Sequence, residues 1–224
     1  GPAALPAGDG SQGYATDTLV LTDSAEAERP VVAVAGAGTF SYSYPETSEL
    51  LTAAGARVAP FDPLRDDRLP EGTRALVLGG GFPEGFADEL AANVDLQDDV
   101  VALARAGAPV YAENAGLLWL VKELDGRPMC GVFDASAEST SLLVLGYRDA
   151  IARASSSVVK VGARVVGHKH HRTLVSPRSG DNPAWQWKGG RPEGFIWRKV
   201  HASYLNVHWA GYPEMARRFV ASIG

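Results

Sequence analysis

Cysteine is almost absent from this chain: among 224 residues only Cys130 carries a thiol. One thiol excludes an internal disulfide framework and suits a reducing, cytosolic setting. It stands between apolar residues in RPMCGVF and reads as a buried structural thiol. No apolar run reaches the about 18 residues that a membrane-spanning helix needs, so no span is predicted. Positive charge is also short. The 21 Lys and Arg against 26 Asp and Glu leave a formal net charge of −5, and they form no runs, which argues against a nucleic-acid partner held by phosphate neutralisation. There is no internal repeat, no low-complexity tract and no initiator Met. Gly1-Pro2 resembles the remnant of a cleaved tag, so the chain is expected to be one domain of a longer protein. We read residues 1–28 as a flexible leader and 29–224 as the folded domain.

What is present is an ordinary globular composition, with 46% hydrophobic residues, enough for one sizeable core. RPVVAVAGAG (29–38) is a β-branched run ending in glycines, and TSELLTAAGARV follows with helical spacing and a stop at Gly55. GARVAPFDP predicts a second strand and RALVLGGGFPEGF a third. FADELAANVDLQDDVVALARAGA predicts two helical segments, PVYAEN a fourth strand and AGLLWLVKEL another helix. Alternation of strands and helices implies βαβ units with right-handed crossovers: an α/β, doubly wound, mostly parallel sheet with its site at the carboxyl ends of the strands. From about residue 129 the texture changes. MCGVFDASA, SLLVLGYRDAIARA, VVKVGARVVGHKHH and VHASYLNVHWA predict a largely antiparallel C-terminal extension with few helical candidates.

Four stretches carry chemical interest. APVYAENAGLLWLV (108–121) reads as strand, sharp turn, helix, the arrangement in which several enzyme folds present a nucleophile, yet the residue at its tip is Asn114. The triple glycine Gly79, Gly80, Gly81 lets backbone N–H groups approach a ligand. It lacks the Lys-Ser/Thr of a phosphate-binding loop and matches G-x-G-x-x-G only in part, so an oxyanion donor beside the turn suits it better than nucleotide. GHKHH places His168 and His170 on one face of a strand. No neighbouring carboxylate or cysteine completes a metal ligand set, and cleft or surface hydrogen bonding is the preferred reading. In HASYLNVHWA, His201 and His208 alternate with apolar residues, as in a half-buried strand entering a cleft. Trp185, Trp187, Trp197 and Trp209 read as packing rather than as a stacking platform.

Taken together, AGTFSYSYPETSELLTAAGA, LPEGTRALVLGGGFPEGFADELAAN, GAPVYAENAGLLWLVKELDGRPMCGV, LGYRDA, GHKHHRT and VHASYLNVHW resemble the class I glutamine amidotransferase domain of cobyrinate a,c-diamide synthases. The likeness runs from about Val31 to Ala221. It implies a flavodoxin-like fold, cobalamin biosynthesis, and an ATP-binding amidoligase domain, in the same or another chain, as partner. ATP and Mg are expected only in that separate synthetase domain; no cofactor is expected here. In the family a cysteine at the elbow attacks glutamine as a thiolate and a histidine near the end of the domain takes its proton. The nucleophile position of A-E-C-(G/A)-G-L is Asn114 here, the base position of S-Y-L-H-x-H is Asn206, and GHEFH reads Gly167, His168, Lys169, His170, His171. The ordinary covalent glutaminase route is therefore not expected.

Random decay would spread substitutions evenly, and engineered inactivation rarely rewrites HEFH as well, so natural divergence is our reading. The leading expectation is a pseudo-glutaminase that binds a small molecule in the former glutamine pocket or supports a partner synthetase. Asn114 and Asn206 would hold a carboxylate, amide or carbonyl there, or bond to each other and close it. Gly80, Gly81 and Ala115 would serve as oxyanion donors, with Glu113, His168, His171 and His208 around them. The second expectation is acid–base chemistry in the same cleft, which requires at least two of Glu113, His168, His171 and His208 within hydrogen-bonding reach of one another near Asn114. The third is a corrinoid-binding module using the Trp-rich loop with Arg172, Lys188 and Arg191.

Overall fold

The structure is a computed structural model that describes Ala25, residues 27–36 and residues 38–224. Most of the leader expected over residues 1–28 lies outside the described residues. β1 (Val31–Ala35), β2 (Arg57–Phe61), β3 (Thr73–Leu78), β4 (Val110–Glu113), β10 (Phe195–Trp197) and β11 (Val200–Ser203) form one six-stranded sheet in the order β10-β11-β4-β3-β1-β2. All its pairings are parallel except β10 with β11, which matches the doubly wound sheet expected from sequence.

Side chains alternate across this sheet, and the two hydrophobic clusters follow the alternation. Ala33, Leu76, Leu78 and Ala112 face α2 (Ala87–Ala92), α3 (Val94–Arg105) and α4 (Ala115–Leu120). Val32, Ala75, Val77 and Tyr111 face α1 (Pro45–Ala53) and α5 (Glu214–Ala221), which bury Leu51, Met215 and Phe219. Pro45 opens α1 at a position where its missing N–H has no partner to lose.

The extension is a second sheet in the order β6-β5-β7-β8, built from β5 (Val121–Leu124), β6 (Arg127–Pro128), β7 (Phe133–Ala152) and β8 (Arg164–Ser176), with β9 (Trp185–Trp187) on β7. Its pairings are antiparallel except β5 with β7. Three local expectations are corrected. The helix predicted over AGLLWLVKEL stops at Leu120, because Val121 is extended at φ −71° and ψ 173° and pairs with Phe133. The strand in VHASYLNVHWA does not belong to the extension: β11 lies parallel to β4, Ser203 opposite Glu113. A C-terminal helix, α5, closes the chain where none was predicted. No helix among the described residues is long and apolar enough to cross a membrane.

Candidate functional site

The carboxyl end of β4 is the centre of the site. β4 stops at Glu113, α4 begins at Ala115, and the whole reversal falls on Asn114, at φ 49° and ψ −101°. Positive φ is costly for most side chains and least so for Asn and Asp. The turn is held from both flanks: the Asn114 amide donates to the Ser203 carbonyl at 2.8 Å, and the Gly116 amide to the Gly79 carbonyl at 3.3 Å. Gly116 has no alternative here, since a Cβ would stand 2.6 Å from Leu78 Cβ and 2.7 Å from its carbonyl oxygen.

A cavity of about 150 Å³ lies over this turn, lined by Tyr42, Tyr44, Asn114, His168, His170 and Asn206. Four distant segments meet there. The two carboxamides do not bond to each other. Asn114 Nδ2 donates to the His170 carbonyl at 3.1 Å, and Asn206 Nδ2 to the His168 carbonyl at 3.0 Å. A reciprocal backbone pair between His168 and Asn206, 2.8 Å in each direction, completes the clamp. Asn114 and Asn206 thus both fasten β8 over the cleft. Around the cavity, Phe82 meets the His170 ring edge-on at 5.8 Å and Tyr42 at 5.3 Å. Burial, reinforced by His170, lowers the pKa of His168 and favours its neutral form.

The other candidates are dispersed. Glu113 is buried beneath the cleft and accepts from the Tyr111 hydroxyl at 2.8 Å and the Val207 amide at 3.0 Å. Burial pushes its pKa up to about 7. It lines a separate cavity of about 20 Å³ with Tyr44, Tyr111 and Trp209, space for about one water. His208 is exposed; it stacks on Tyr44 at 4.2 Å and lies 3.7 Å from Glu46. His171 points through the opposite face of β8 from His168 and His170, stacked on Tyr204 at 3.6 Å. Its burial pushes its pKa down to about 4. Strand alternation separates it from the cleft, so its expected role as an oxyanion or cleft ligand does not fit its position. Gly80 packs against Asn206 Oδ1 and Tyr42, while Gly81 has Thr39 O where a Cβ would go. Ala115 is fully buried, and none of these three lines the cavity.

Cys130 is tied by its amide to the Trp119 carbonyl at the far end of α4, and burial pushes its thiol pKa well up, so no thiolate is offered to the cleft. His201 is fully buried rather than half-buried, against Ser156 and Tyr111. Trp185 and Trp209 are core residues, whereas Trp197 is exposed. Arg172 donates to the Ser141 carbonyl, and Lys188 and Arg191 are exposed. Among the described residues no group of three or more His, Cys, Asp or Glu is placed to hold a metal ion. Tyr42 and Tyr44 were not anticipated. The alternating aromatics of SYSYPE, just ahead of a helix start, are the signal that could have found them.

The CobB/CobQ-like glutamine amidotransferase domain family matches residues 31–213 of this sequence. The chain belongs to that family. A hydrogenobyrinate a,c-diamide synthase of Streptomyces coelicolor is 56% identical over 191 residues, which cover 84% of this chain and 39% of the relative. A cobyrinate a,c-diamide synthase of Gloeobacter violaceus is 41% identical over 194 residues, covering 84% and 42%. The chain thus spans about two fifths of the length of these curated relatives. A solved glutamine amidotransferase superposes with a TM-score of 0.63 at 23% identity, over 86% of this chain and 98% of its own. PurLQS from Thermotoga maritima does so with 0.59 at 14%, over 87% and 97%. These structures share the class I glutamine amidotransferase fold.

Proposed function

We propose that this chain is a degenerate glutamine amidotransferase domain without glutaminase activity, whose former glutamine cleft binds a small polar molecule and whose fold supports a partner synthetase. The observation that carries the reading is the position of Asn114: a carboxamide occupies the elbow, and one of its two N–H groups is spent on the β8 backbone. Covalent glutamine hydrolysis needs an electron pair that attacks the carboxamide carbon and a base that accepts the nucleophile's proton. An amide nitrogen has its lone pair delocalised into the carbonyl and does not titrate near neutrality. Asn206 cannot accept the proton either. What remains is hydrogen-bonding capacity: the Oδ1 acceptors and second N–H donors of two carboxamides beside two imidazoles and two phenols, suited to a neutral or weakly charged polar ligand rather than to one that must be attacked.

The relatives named as a,c-diamide synthases are more than twice as long as the matched segment. This supports an ATP-binding amidoligase domain, in the same or another chain, as the partner, with ATP and Mg held there. Acid–base chemistry is the weaker reading. Its one support is the pKa of Glu113, and that carboxylate faces a cavity too small for a substrate.

The test is ammonia release from glutamine by the chain and by the double variant Asn114→Cys, Asn206→His, side by side. We expect release from the variant only, which would show that the pocket still accepts glutamine. Turnover by the unmodified chain at ordinary amidotransferase rates would overturn the proposal. Silence of both would mean that the cleft has been rebuilt for a different ligand.

A further inference from the structure

β8 divides its side chains between two cavities. His168 and His170 line the cleft, whereas Lys169 and His171 line a second cavity of about 230 Å³ on the other face, with Arg148, Arg178, Trp187, Glu193 and Tyr204 among its walls. Lys169 is 7% exposed. Its ammonium lies 5.0 Å from the Trp187 ring centre and 5.4 Å from that of Tyr204, and no carboxylate among the described residues lies within ion-pair distance of it. Aromatic faces offset part of the cost of a buried ammonium, but not as a counter-ion does. The Arg148 guanidinium also stands over Trp187, at 5.8 Å.

The one carboxylate in the wall, Glu193, is fully buried and already accepts from the Ser203 hydroxyl. Burial raises its pKa and lowers that of Lys169, so the two discharge each other in either state, while the Arg148 and Arg178 guanidiniums remain in the wall as cations uncompensated among the described residues. His171 adds a directional feature. Its Nδ1 lies 2.9 Å from the Thr173 carbonyl, which can only accept, so Nδ1 carries the proton and Nε2 is the acceptor. That Nε2 is buried without a hydrogen-bond partner among the described residues, and a buried acceptor left unsatisfied is destabilising. The cavity therefore combines surplus positive charge, aromatic walls and an idle acceptor.

We propose that this second cavity is a binding site for a small oxyanion, a carboxylate or a phosphate, with Lys169, Arg148 and Arg178 as its counter-charges. A ligand that also carries a hydroxyl or N–H group can donate to His171 Nε2. Trp187 and Tyr204 present apolar faces to a planar body, and the volume admits only a compact molecule. The site is separate from the cleft over Asn114 and stands whether or not that cleft turns over glutamine.

The experiment is a titration of the full chain with inorganic phosphate and, separately, with benzoate, at constant ionic strength made up with chloride. The indole N–H signals of the five tryptophans are followed by NMR, and Trp187→Phe assigns the signal of interest. We expect the Trp187 signal to shift saturably with at least one probe, and the stronger probe to identify the oxyanion class. Lys169→Met, which keeps the stem between the aromatic rings, should weaken that binding at least tenfold. Arg178→Gln changes only an exposed side chain; it should also weaken binding and decides the matter if Lys169→Met does not fold. No saturable shift with either probe, or affinity unchanged in a folded variant, would overturn the proposal.

Discussion

Asn114 keeps a backbone conformation that was expensive to retain. At φ 49° a β-branched residue is an outlier, whereas glycine is at ease there. We expect Asn114→Val to lower stability by about 2–3 kcal/mol, from backbone strain and loss of the bond to the His170 carbonyl. Asn114→Gly should lose about 1 kcal/mol, from the bond alone. Urea midpoints of the two variants check the difference. Glu113 makes a second residue-scale case. Its folded pKa of about 7 lies above the ordinary value of 4.5, so the fold favours the protonated acid. Its relative stabilisation is complete below pH 4.5 and is lost as the pH rises to about 7. The stability advantage of Glu113→Gln over the parent chain should therefore grow across that window to a plateau of at most about 3 kcal/mol. Taking the difference between the two chains cancels the opposing contributions of His171 and His201, whose pKa values burial lowers.

At the scale of elements, α4 approaches β3 closely enough that only glycine fits at position 116. Gly116→Ala must push the helix off Leu78, at about 2–3 kcal/mol. In a chain of this size that is a fall of about 5–10 °C in Tm, measurable by thermal unfolding. β8 is the other element with a specific dependence. Its cleft stretch is fastened by side-chain bonds from Asn114 and Asn206 in addition to the β7 ladder. Asn114→Ala combined with Asn206→Ala should speed amide hydrogen exchange over residues 167–171 more than over the β7 end near Asp149. Uniform acceleration would mean that the carboxamides act on global stability and do not clamp the strand.

For the whole molecule, the two sheets are continuous through α4 and β5, and after the extension the chain returns to the main sheet as its edge strand β10 and then as β11, between β10 and β4. The extension thus has no independent exit from the core. The chain should unfold in one transition, with coincident midpoints from far-UV circular dichroism and from the fluorescence of the buried Trp119, Trp185 and Trp209. A separate early transition would show that the extension folds on its own. The same return path places β11 beside β4, which brings Asn206 to the cleft and the Val207 amide to Glu113.

The sequence by itself determined the alternating strands and helices up to β4 and the sharp elbow with Asn114 at its tip. Those features are local: apolar period, glycine punctuation and motif order survive being read along a line. It also determined that His168 and His170 share a face, because strand alternation needs no partner. Only the tertiary structure decided which sheet would receive Val200–Ser203, since its apolar pattern satisfies either and the choice rests on a non-local pairing with β4. It alone decided that the two asparagines bond to β8 rather than to each other, that Tyr42 and Tyr44 complete the cleft, and that His171 turns instead toward Lys169 and Glu193. Each of those outcomes joins residues far apart in the chain. The physical reason is the same in every case: local periodicity sets which way a side chain points, while what it meets is set by how the elements pack.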